Sequence, residues 1–442
     1  MIENRFLKDF FNGLNKFNIE YCIVGKTFSA FNDNFKGDID MITSENDLKK
    51  IFHLINELVE QENIFLVNLI RHRYHAYYII ILENLNGVHN FHKLDICTDY
   101  IPFNIKFNYI NSRYLLDNKK LINQGSIPVY IADHAKNFLY YIVKKSCKKS
   151  LSKNDFDFLK FNFMTDSKKC INAISPYIYH EKIKLISNYI SNDSYESLLN
   201  LIKSDLIFKT NFNLLRNISL LKKEVKRLIN RIRYPTGKVI AILGPDGSGK
   251  STIIKKLSNE CKDIGRKQRV LHFWPNKLIS SHKKYKEVVN PHLNKNYIFP
   301  LSLCKLVYCV LRYNLTWLIC NHIFYLSSTL FLFDRYFIDI IADPKRYRIG
   351  LNSNFIKFAY KFVVKPDLLL ILNVEPNIIR ERKIEVSIEE SYNQYFKYRE
   401  IEKFHKNVKI VNGNQSIEKV CSECKTIIGE TFSRKIDYQK LL

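Results

Sequence analysis

The segment "GPDGSGKST" (residues 244–252) constrains the fold of this chain more than any other feature. Gly244, Gly249, Lys250 and Ser251 meet the spacing G-x-x-x-x-G-K-S. In this pattern, small residues let backbone N–H groups surround a polyphosphate, the lysine reaches its outer phosphates, and the serine hydroxyl can hold Mg²⁺. The segment follows the β-branched run "KVIAIL" and precedes the helical pattern "STIIKKLSNEC". The order strand, loop, helix predicts a phosphate-binding loop.

Length and charge set wider limits. A chain of 442 residues is too long for one ordinary core, and its 46% hydrophobic content excludes large-scale disorder. The formal net charge of +26 is typical of proteins that bind phosphate, nucleic acid or an acidic membrane surface. Because the basic residues are interleaved with apolar ones and no nucleic-acid module accompanies them, nucleic-acid binding is disfavoured.

The ten cysteines occur mostly singly, in apolar or helical contexts. Only Cys421 and Cys424 form a CxxC pair, and no second pair stands at zinc-finger spacing. Two positions on one helix face explain this pair better than a metal site. Reduced thiols, together with an N-terminus that lacks the pattern of a secretory signal, predict a cytoplasmic protein.

Residues 313–333 contain no Asp, Glu, Lys or Arg side chain, and this uncharged stretch is long enough to cross a bilayer. Asn314, Asn321 and His322 interrupt this stretch, so a buried helix to about Leu326 followed by the core strand "TLFLF" is the preferred interpretation.

Charged residues follow two of the predicted strands in the second half. Asp334 ends "TLFLFD", where an acid could hold Mg²⁺ or orient an acceptor, and Arg335 beside it suits a phosphate. After the strand in "KPDLLLILNVEP" comes a charged helical stretch in which Arg380, Arg382 and Lys383 could neutralise a transferring phosphoryl group. A solvated helix face paired with nearby glutamates is the alternative for these three cations.

Taken together, residues 236–432 resemble the thymidylate kinase branch of the P-loop nucleoside-monophosphate kinases. Four pieces carry the resemblance: the loop with Asp246, "DRY" at residues 334–336, "RERK" followed by Tyr395, Tyr398 and Arg399, and "IVNGNQSIEKV" at residues 410–420. The resemblance implies a parallel sheet flanked by helices and the use of ATP and Mg²⁺.

The same resemblance implies roles for individual residues. Lys250 and Ser251 would serve ATP and Mg²⁺, Arg335 would grip the acceptor phosphate, and Arg380 and Arg382 would belong to a moving lid. The expected nucleotide-binding residues are Gly244, Asp246, Gly247, Ser248, Gly249, Lys250, Ser251 and Thr252. The expected catalytic residues are Lys250, Asp334, Arg335, Arg380 and Arg382.

The acceptor segments depart from that family. The chain has "LHFWPNK" after the second strand, and "FIDIIADPKRYR" after "DRY" brings Asp339, Asp343, Arg346 and Arg348. Two acids and two arginines would suit a hydroxylated or anionic acceptor other than thymidylate. The pattern is more similar to the divergent thymidylate kinase-like proteins that accompany bacterial surface-polysaccharide genes, which implies a sugar, glycan or phospho-sugar acceptor.

The first 125 residues carry a second acidic motif. "YCIVGK" predicts a strand and a glycine turn, and the later "GDIDM" places Asp38 and Asp40 on one face of a strand. With Asp95 as a third acid, these residues could hold Mg²⁺. The region resembles the minimal nucleotidyltransferases of the polymerase-beta type, although Lys26 stands where that family usually has a small residue. A non-catalytic remnant is the alternative.

Residues 126–235 show helical periodicity without motifs and are predicted to connect the two domains. "NISLLKKEVKRLINRIR" predicts an amphipathic helix with an apolar stripe and a basic face. Packing between the domains is the preferred interpretation of this helix, and contact with anionic lipid is the other. "YPTGK" at residues 234–238 marks the boundary. The expected organisation is 1–125, an α+β nucleotidyltransferase-like domain, 126–235, a helical connector, and 236–442, an α/β P-loop kinase domain.

The sequence thus predicts a cytoplasmic, ATP-dependent phosphotransferase that acts on a nucleoside monophosphate or on a sugar or sugar phosphate. One alternative is a metal-dependent nucleotidyltransferase that uses Asp38, Asp40 and Asp95. The other is a non-catalytic nucleotide-binding interaction module of a glycan-assembly system. Peripheral contact with the inner membrane or with a glycan-assembly complex is expected of the chain as a whole.

Overall fold

Short aliphatic runs in the second half of the chain form a parallel sheet. The computed structural model describes residues 4–26, 37–100, 110–204, 209, 214–273, 295–382 and 388–437. Five strands make up this sheet: β8 (Lys238–Leu243), β9 (Lys267–His272), β10 (Thr329–Asp334), β11 (Leu368–Asn373) and β12 (Val408–Asn412). Their order is β12-β11-β8-β10-β9, and every neighbouring pair is parallel.

Helices cover both faces of the parallel sheet, as its near-continuous burial requires. The helices are α10 (Lys250–Glu260), α11 (Phe299–Thr316), α12 (His322–Leu326), α13 (Asp339–Ala342), α14 (Ser353–Tyr360), α15 (Pro376–Arg382), α16 (Ile388–Glu400) and α17 (Ile417–Phe432). Helices α10 and α17 pack on one face, whereas α11, α13, α14 and α16 contribute to the core on the other. The predicted α/β class, a parallel sheet flanked by helices, is confirmed.

The first half forms a mixed seven-stranded sheet with the order β3-β4-β5-β2-β1-β7-β6. Its strands are β1 (Tyr21–Ile23), β2 (Ile39–Thr43), β3 (Ile64–Arg73), β4 (Ala76–Leu85), β5 (Val88–Cys97), β6 (Lys120–Gln124) and β7 (Ile127–Ile131). Strands β2 and β5 are parallel, as are β1 and β7. The boundary expected after residue 125 therefore falls between two paired strands, because β7 belongs to this sheet.

The helices of the first half are α1 (Arg5–Lys16), α2 (Glu45–Val59), α3 (Ser112–Leu116), α4 (His134–Lys148), α5 (Lys153–Thr165), α6 (Ser167–Ile174), α7 (His180–Ser191), α8 (Tyr195–Lys203) and α9 (Leu214–Arg233). Helices α1 and α2 share one core with the sheet, and α4 to α8 share another with β1 and β2. Most of the predicted connector is thus packed onto the N-terminal sheet.

The two sheets meet through a common apolar core. Buried side chains of β3 and β4 lie in one cluster with those of α10 and α17. Gly429 of α17 is required there, because a Cβ atom would lie 2.6 Å from the ring of Phe65. Cys421 and Cys424 are both buried on α17 in the same cluster, which confirms that the CxxC pair lies on a helix face.

The uncharged segment 313–333 contains the end of α11, a π-helical turn at Trp317–Asn321, α12 and then β10. The predicted helix followed by a strand is correct. The prediction that this helix is buried is wrong for its outer face, where Leu315, Leu318, Ile319 and Ile323 are exposed. Within the described ranges, no helix is both long enough and apolar enough to span a bilayer.

Candidate phosphate-binding site

The loop between β8 and α10 lies at the carboxyl edge of the parallel sheet. Gly244 approaches the neighbouring strand so closely that a Cβ atom would lie 2.8 Å from the carbonyl oxygen of Leu372. Gly249 has φ = 84°, a left-handed conformation that glycine adopts without strain, and α10 begins at the next residue. The glycines therefore aim the N-terminus of α10, with its positive end of the helix dipole, across the sheet edge.

Lys250 is buried within this loop. Its Nζ donates a hydrogen bond to the carbonyl oxygen of Pro245 at 2.6 Å and lies 3.8 Å from Oδ1 of Asp246. Burial, together with the nearby charge of Arg335, lowers the pKa of Lys250 to about 8. The ammonium is thus charged at neutral pH and held inside the loop, where an anionic ligand would relieve its desolvation.

Two arginines from outside the loop converge on Asp246. Arg335 pairs with Oδ1 of this carboxylate and Arg346 with Oδ2. Burial raises the pKa of Asp246, but Arg335, Lys250 and Arg346 outweigh burial and hold it well below its ordinary value. The carboxylate therefore stays charged and fixes both guanidinium groups beside the phosphate loop.

Arg335 is held from several sides. Its backbone has φ = 68°, and its N–H donates to the carbonyl oxygen of Ile242 at 3.0 Å. Its Nη1 lies 2.7 Å from Oδ2 of Asp339, which is fully buried. Asp339 also accepts hydrogen bonds from Tyr347 at 2.7 Å and Tyr398 at 2.6 Å. Asp339 is therefore a positioning residue that orients the guanidinium of Arg335.

Asp334 ends β10 next to the loop. Its Oδ2 lies 3.2 Å from Nδ1 of His272, whereas its buried Oδ1 has no hydrogen-bond partner among the described residues. Burial raises the pKa of Asp334, but the interactions with His272, followed by Lys250 and Arg335, lower it overall. A charged carboxylate oxygen without a partner in the described part of the chain, together with the hydroxyl of the exposed residue Ser251 in the first turn of α10, fits the oxygen ligands that Mg²⁺ prefers.

The family model that matches this chain covers the region that contains the phosphate loop. Residues 242–424 match the family model described as thymidylate kinase. The C-terminal region is therefore thymidylate kinase-like. Among solved structures, thymidylate kinase from Ehrlichia chaffeensis has 18% identity and a TM-score of 0.33 over 44% of this chain and 99% of its own. Thymidylate kinase from Candida albicans has 21% identity and a TM-score of 0.33 over 45% and 94%. No curated protein matches this chain.

The expected lid of this thymidylate kinase-like region is described only in part. Arg380 is half-buried on α15, which follows β11 past the same sheet edge. The side chain of Arg382 lies outside the described residues, as do residues 383–387, which include Lys383. Trp274 and Pro275 of the acceptor segment also lie outside them.

The acids expected to face an acceptor are engaged in the fold instead. Asp339 orients Arg335, and Oδ2 of buried Asp343 accepts from Nε2 of Gln394 at 3.2 Å. Arg348 lies over the ring of Tyr297, 4.2 Å from its centroid. Of the four charged residues after "DRY", Arg346 is the one that the structure brings to the phosphate loop.

Sequence reasoning missed four contacts in this site. It named Arg346 without linking it to Asp246, and it did not anticipate His272 beside Asp334 or the two tyrosines on Asp339. The pairing of His272 with Asp334 depends on the neighbouring positions of β9 and β10. No local pattern in the sequence gives that strand order.

The N-terminal acids also come together, and each already has a side-chain partner. Asp38 and Asp40 each meet a lysine, whereas Asp95 meets the imidazole of His72, whose pKa burial lowers to about 4. Asp40 and Asp95 are paired positions on the parallel strands β2 and β5. Asp40 forms an ion pair with Lys144 of α4. Asp95 lies 3.6 Å from Nε2 of His72. Asp38 accepts a hydrogen bond from the Tyr78 hydroxyl at 2.9 Å and lies 3.4 Å from Nζ of Lys93.

This arrangement does not fit the expected magnesium site. Lys144 engages the carboxylate of Asp40 that would ligate the ion. Within the described part of the chain, no group of three or more His, Cys, Asp or Glu side chains is placed to hold a metal. Burial and the Asp40 carboxylate raise the pKa of Asp95 to about 7. Nζ of Lys26, the residue that stands where the minimal nucleotidyltransferases usually have a small one, lies 2.7 Å from Oδ1 of Asp155.

Proposed function

We propose that the thymidylate kinase-like region transfers the γ-phosphoryl group of ATP to a small anionic acceptor, either a nucleoside monophosphate or a sugar phosphate. The observation that carries this proposal is the convergence of Lys250, Arg335 and Arg346 around Asp246 at the N-terminus of α10. Three cations beside a glycine-rich loop form a surface that complements two phosphate groups better than one.

Each group has a separate role in the proposed transfer. The loop and Lys250 bind the donor phosphates, and Arg335, held by Asp339, presents its guanidinium to the acceptor phosphate. An acceptor oxygen then attacks the γ-phosphorus in line as the bond to the ADP oxygen breaks, and ADP leaves with the electron pair. Mg²⁺ held by Ser251 and Asp334 would supply charge neutralisation at the donor phosphates. Arg380 is proposed to approach from α15.

The pairing of Asp246 with both arginines supports an anionic acceptor over a neutral sugar. The carboxylate of Asp246 already pairs with Arg335 and Arg346, so only a ligand with its own negative charge can take its place at the two guanidinium groups. A neutral sugar would leave both ion pairs as they are. The engagement of Asp339 and Asp343 within the fold removes the acids that were expected to recognise sugar hydroxyls.

The test is transfer of label from γ-labelled ATP and Mg²⁺ by the full chain to a panel of acceptors. The panel contains thymidylate, other nucleoside monophosphates, neutral sugars and sugar phosphates, and pyrophosphate release is followed in the same samples. Label on any phosphorylated acceptor supports the proposal, and the preferred acceptor decides between nucleotide and sugar phosphate. Label on neutral sugars alone contradicts the anionic acceptor, and no transfer across the panel contradicts the kinase.

Nucleotidyl transfer by the N-terminal domain is the second candidate, because Asp40 and Asp95 lie side by side on β2 and β5. The ion pair of Lys144 with Asp40 weighs against it. Pyrophosphate release that disappears in Asp40→Asn would favour this candidate. Nucleotide binding without label transfer or pyrophosphate release would favour the non-catalytic module of a glycan-assembly system.

A further inference from the structure

Helix α9 attaches to the rest of the protein through its polar face. Glu224 accepts a hydrogen bond from the backbone N–H of Tyr74 at 3.1 Å. Arg227 donates to the carbonyl oxygen of Arg71 at 3.2 Å, and Arg231 contacts the same oxygen and Ser328. Arg71 and Tyr74 belong to the N-terminal domain, whereas Ser328 precedes β10. The helix therefore spans the domain junction, and its charged side chains make these contacts.

The apolar stripe of α9 consequently points away from the protein. Seven large aliphatic side chains are between 42% and 80% exposed: Leu215, Ile218, Leu221, Val225, Leu228, Ile229 and Ile232. Their spacing follows the 3.6-residue period, so they form one continuous stripe along the 20 residues of the helix. This orientation is the reverse of an amphipathic helix that packs on a protein core. It leaves an outward apolar surface about 30 Å long.

Basic residues flank this stripe on the side away from the protein. Lys222, Lys226 and Arg233 are exposed, and helical geometry places all three along one edge of the stripe. The whole chain carries a formal net charge of +26. An aliphatic stripe beside a row of cations complements the boundary between acyl chains and anionic headgroups.

A second copy of the chain fits this surface less well. Two stripes packed face to face would bring the cationic rows of both helices close together, and both chains carry the same large positive charge. A bilayer has no such repulsion, because its headgroups can be anionic. No helix within the described residues is long and apolar enough to span a membrane, so the geometry suits a helix that lies in the plane of the interface.

We propose that α9 docks the protein on an anionic membrane, with the aliphatic stripe among the acyl chains and Lys222 and Lys226 at the headgroups. The docking surface is separate from the phosphate-binding loop and does not depend on the phosphotransferase proposal. A second exposed apolar surface adjoins it, since the Arg231 contact with Ser328 brings the end of α9 to the end of α12. Exposed Ile319 and Ile323 lie just before that point.

Vesicle flotation of the full chain tests this proposal. The protein is expected to float with vesicles of phosphatidylcholine and phosphatidylglycerol, to float less as salt increases, and to remain unbound with pure phosphatidylcholine. Leu221→Glu should reduce partitioning about tenfold or more by placing a charge in the acyl region. Leu121→Glu is the matched control, because Leu121 is exposed to a similar extent (56% against 60% for Leu221) but lies on β6.

Charge and self-association are tested separately. Lys222→Glu combined with Lys226→Glu should also reduce flotation, and circular dichroism should show that every variant keeps its helical content. Equal flotation of Leu221→Glu and Leu121→Glu would overturn the proposal, as would wild-type protein that ignores anionic vesicles. A wild-type dimer in light scattering that Leu221→Glu converts to a monomer, without lipid binding, would assign the stripe to a second copy instead.

Discussion

The protein has two acidic clusters, one at the phosphate loop and one at the N-terminal sheet, and their similar side chains have different surroundings. At the phosphate loop, Asp246 gathers Arg335 and Arg346 beside Lys250, and the amides of the loop and the start of α10 add further donors. At the N-terminal sheet, Asp38 and Asp40 each meet one lysine, and Asp95 lies beside the uncharged imidazole of His72. The first cluster combines several cations with backbone N–H donors, whereas each acid of the second has a single basic side chain beside it.

The turn glycines of the two domains show the same difference. The backbone N–H of Gly25, which follows β1, donates to Oδ1 of Asn137 at 2.9 Å. Gly249 instead begins α10, so the loop amides and the helix dipole act together at one edge of the sheet. Charged residues alone therefore do not define a phosphate site. The backbone that accompanies them distinguishes the two clusters.

The largest expected effect comes from removing the lysine of the phosphate loop. Lys250→Ala should lower the rate of phosphoryl transfer by about 100- to 1000-fold, because a preorganised cation that stabilises developing charge is lost. The measurement is label transfer at saturating ATP. Lys256→Ala, on the exposed side of the same helix, is the matched control and should retain activity. Undiminished transfer by Lys250→Ala would remove this loop from the mechanism.

Arg335 should matter for stability as well as for transfer. Arg335→Met leaves Asp339 buried without its cation, and breaking a buried pair costs about 3–5 kcal/mol of unfolding free energy. Because two tyrosine hydroxyls still donate hydrogen bonds to Asp339, the expected loss of unfolding free energy is near the lower end of this range. Urea unfolding of Arg335→Met is compared with that of Arg348→Met, the control, in which the half-buried arginine lies over the ring of Tyr297. A loss no larger than that of the control would mean that Asp339 does not depend on Arg335.

Strands and helices of the kinase half follow from local patterns. "KVIAIL" and "TLFLF" are short apolar runs bounded by turn or charged residues, and both form buried strands. The spacing of the glycines predicts the phosphate loop, because the close approach at Gly244 and the left-handed backbone at Gly249 both favour glycine. These features depend on residues close in sequence, which is why they could be predicted.

Contacts between distant segments could not be predicted in this way. The pairing of Asp246 with Arg346 joins residues 100 positions apart, and the outward orientation of α9 depends on which of its faces the domain junction accepts. The sequence of α9 shows an apolar stripe and a basic face, but it does not indicate which of the two packs against the rest of the protein. Burial of Asp339 was likewise hidden, because its partners Tyr347 and Tyr398 come from other elements.

The lowered pKa of Lys250 predicts a pH dependence of nucleotide binding. In the free protein this group loses its proton as pH rises through about 8, whereas a bound phosphate favours the charged form. The contribution of Lys250 to affinity should therefore be constant below pH 7 and fall by up to about tenfold per pH unit above 8. Calorimetry in buffers of different ionisation enthalpy should show proton uptake at alkaline pH. Lys250→Arg, which stays protonated, should bind without that uptake; equal uptake would assign it to another group.

The smallest expected effect on stability concerns two ion pairs of Lys93 that join the N-terminal domain to the kinase-like domain. Lys93 is only 6% exposed and lies 3.4 Å from both Asp38 of the N-terminal domain and Asp263, which follows α10. Lys93→Met should lower the unfolding free energy by about 1 kcal/mol, because both acids are partly exposed and water can solvate them after the change. Exposed Lys262→Met, beside Asp263, is the control for urea unfolding. If Lys93→Met unfolds like the control, these two ion pairs do not stabilise the junction of the domains, and the charge of Asp38 is stabilised by the Tyr78 hydroxyl and solvent.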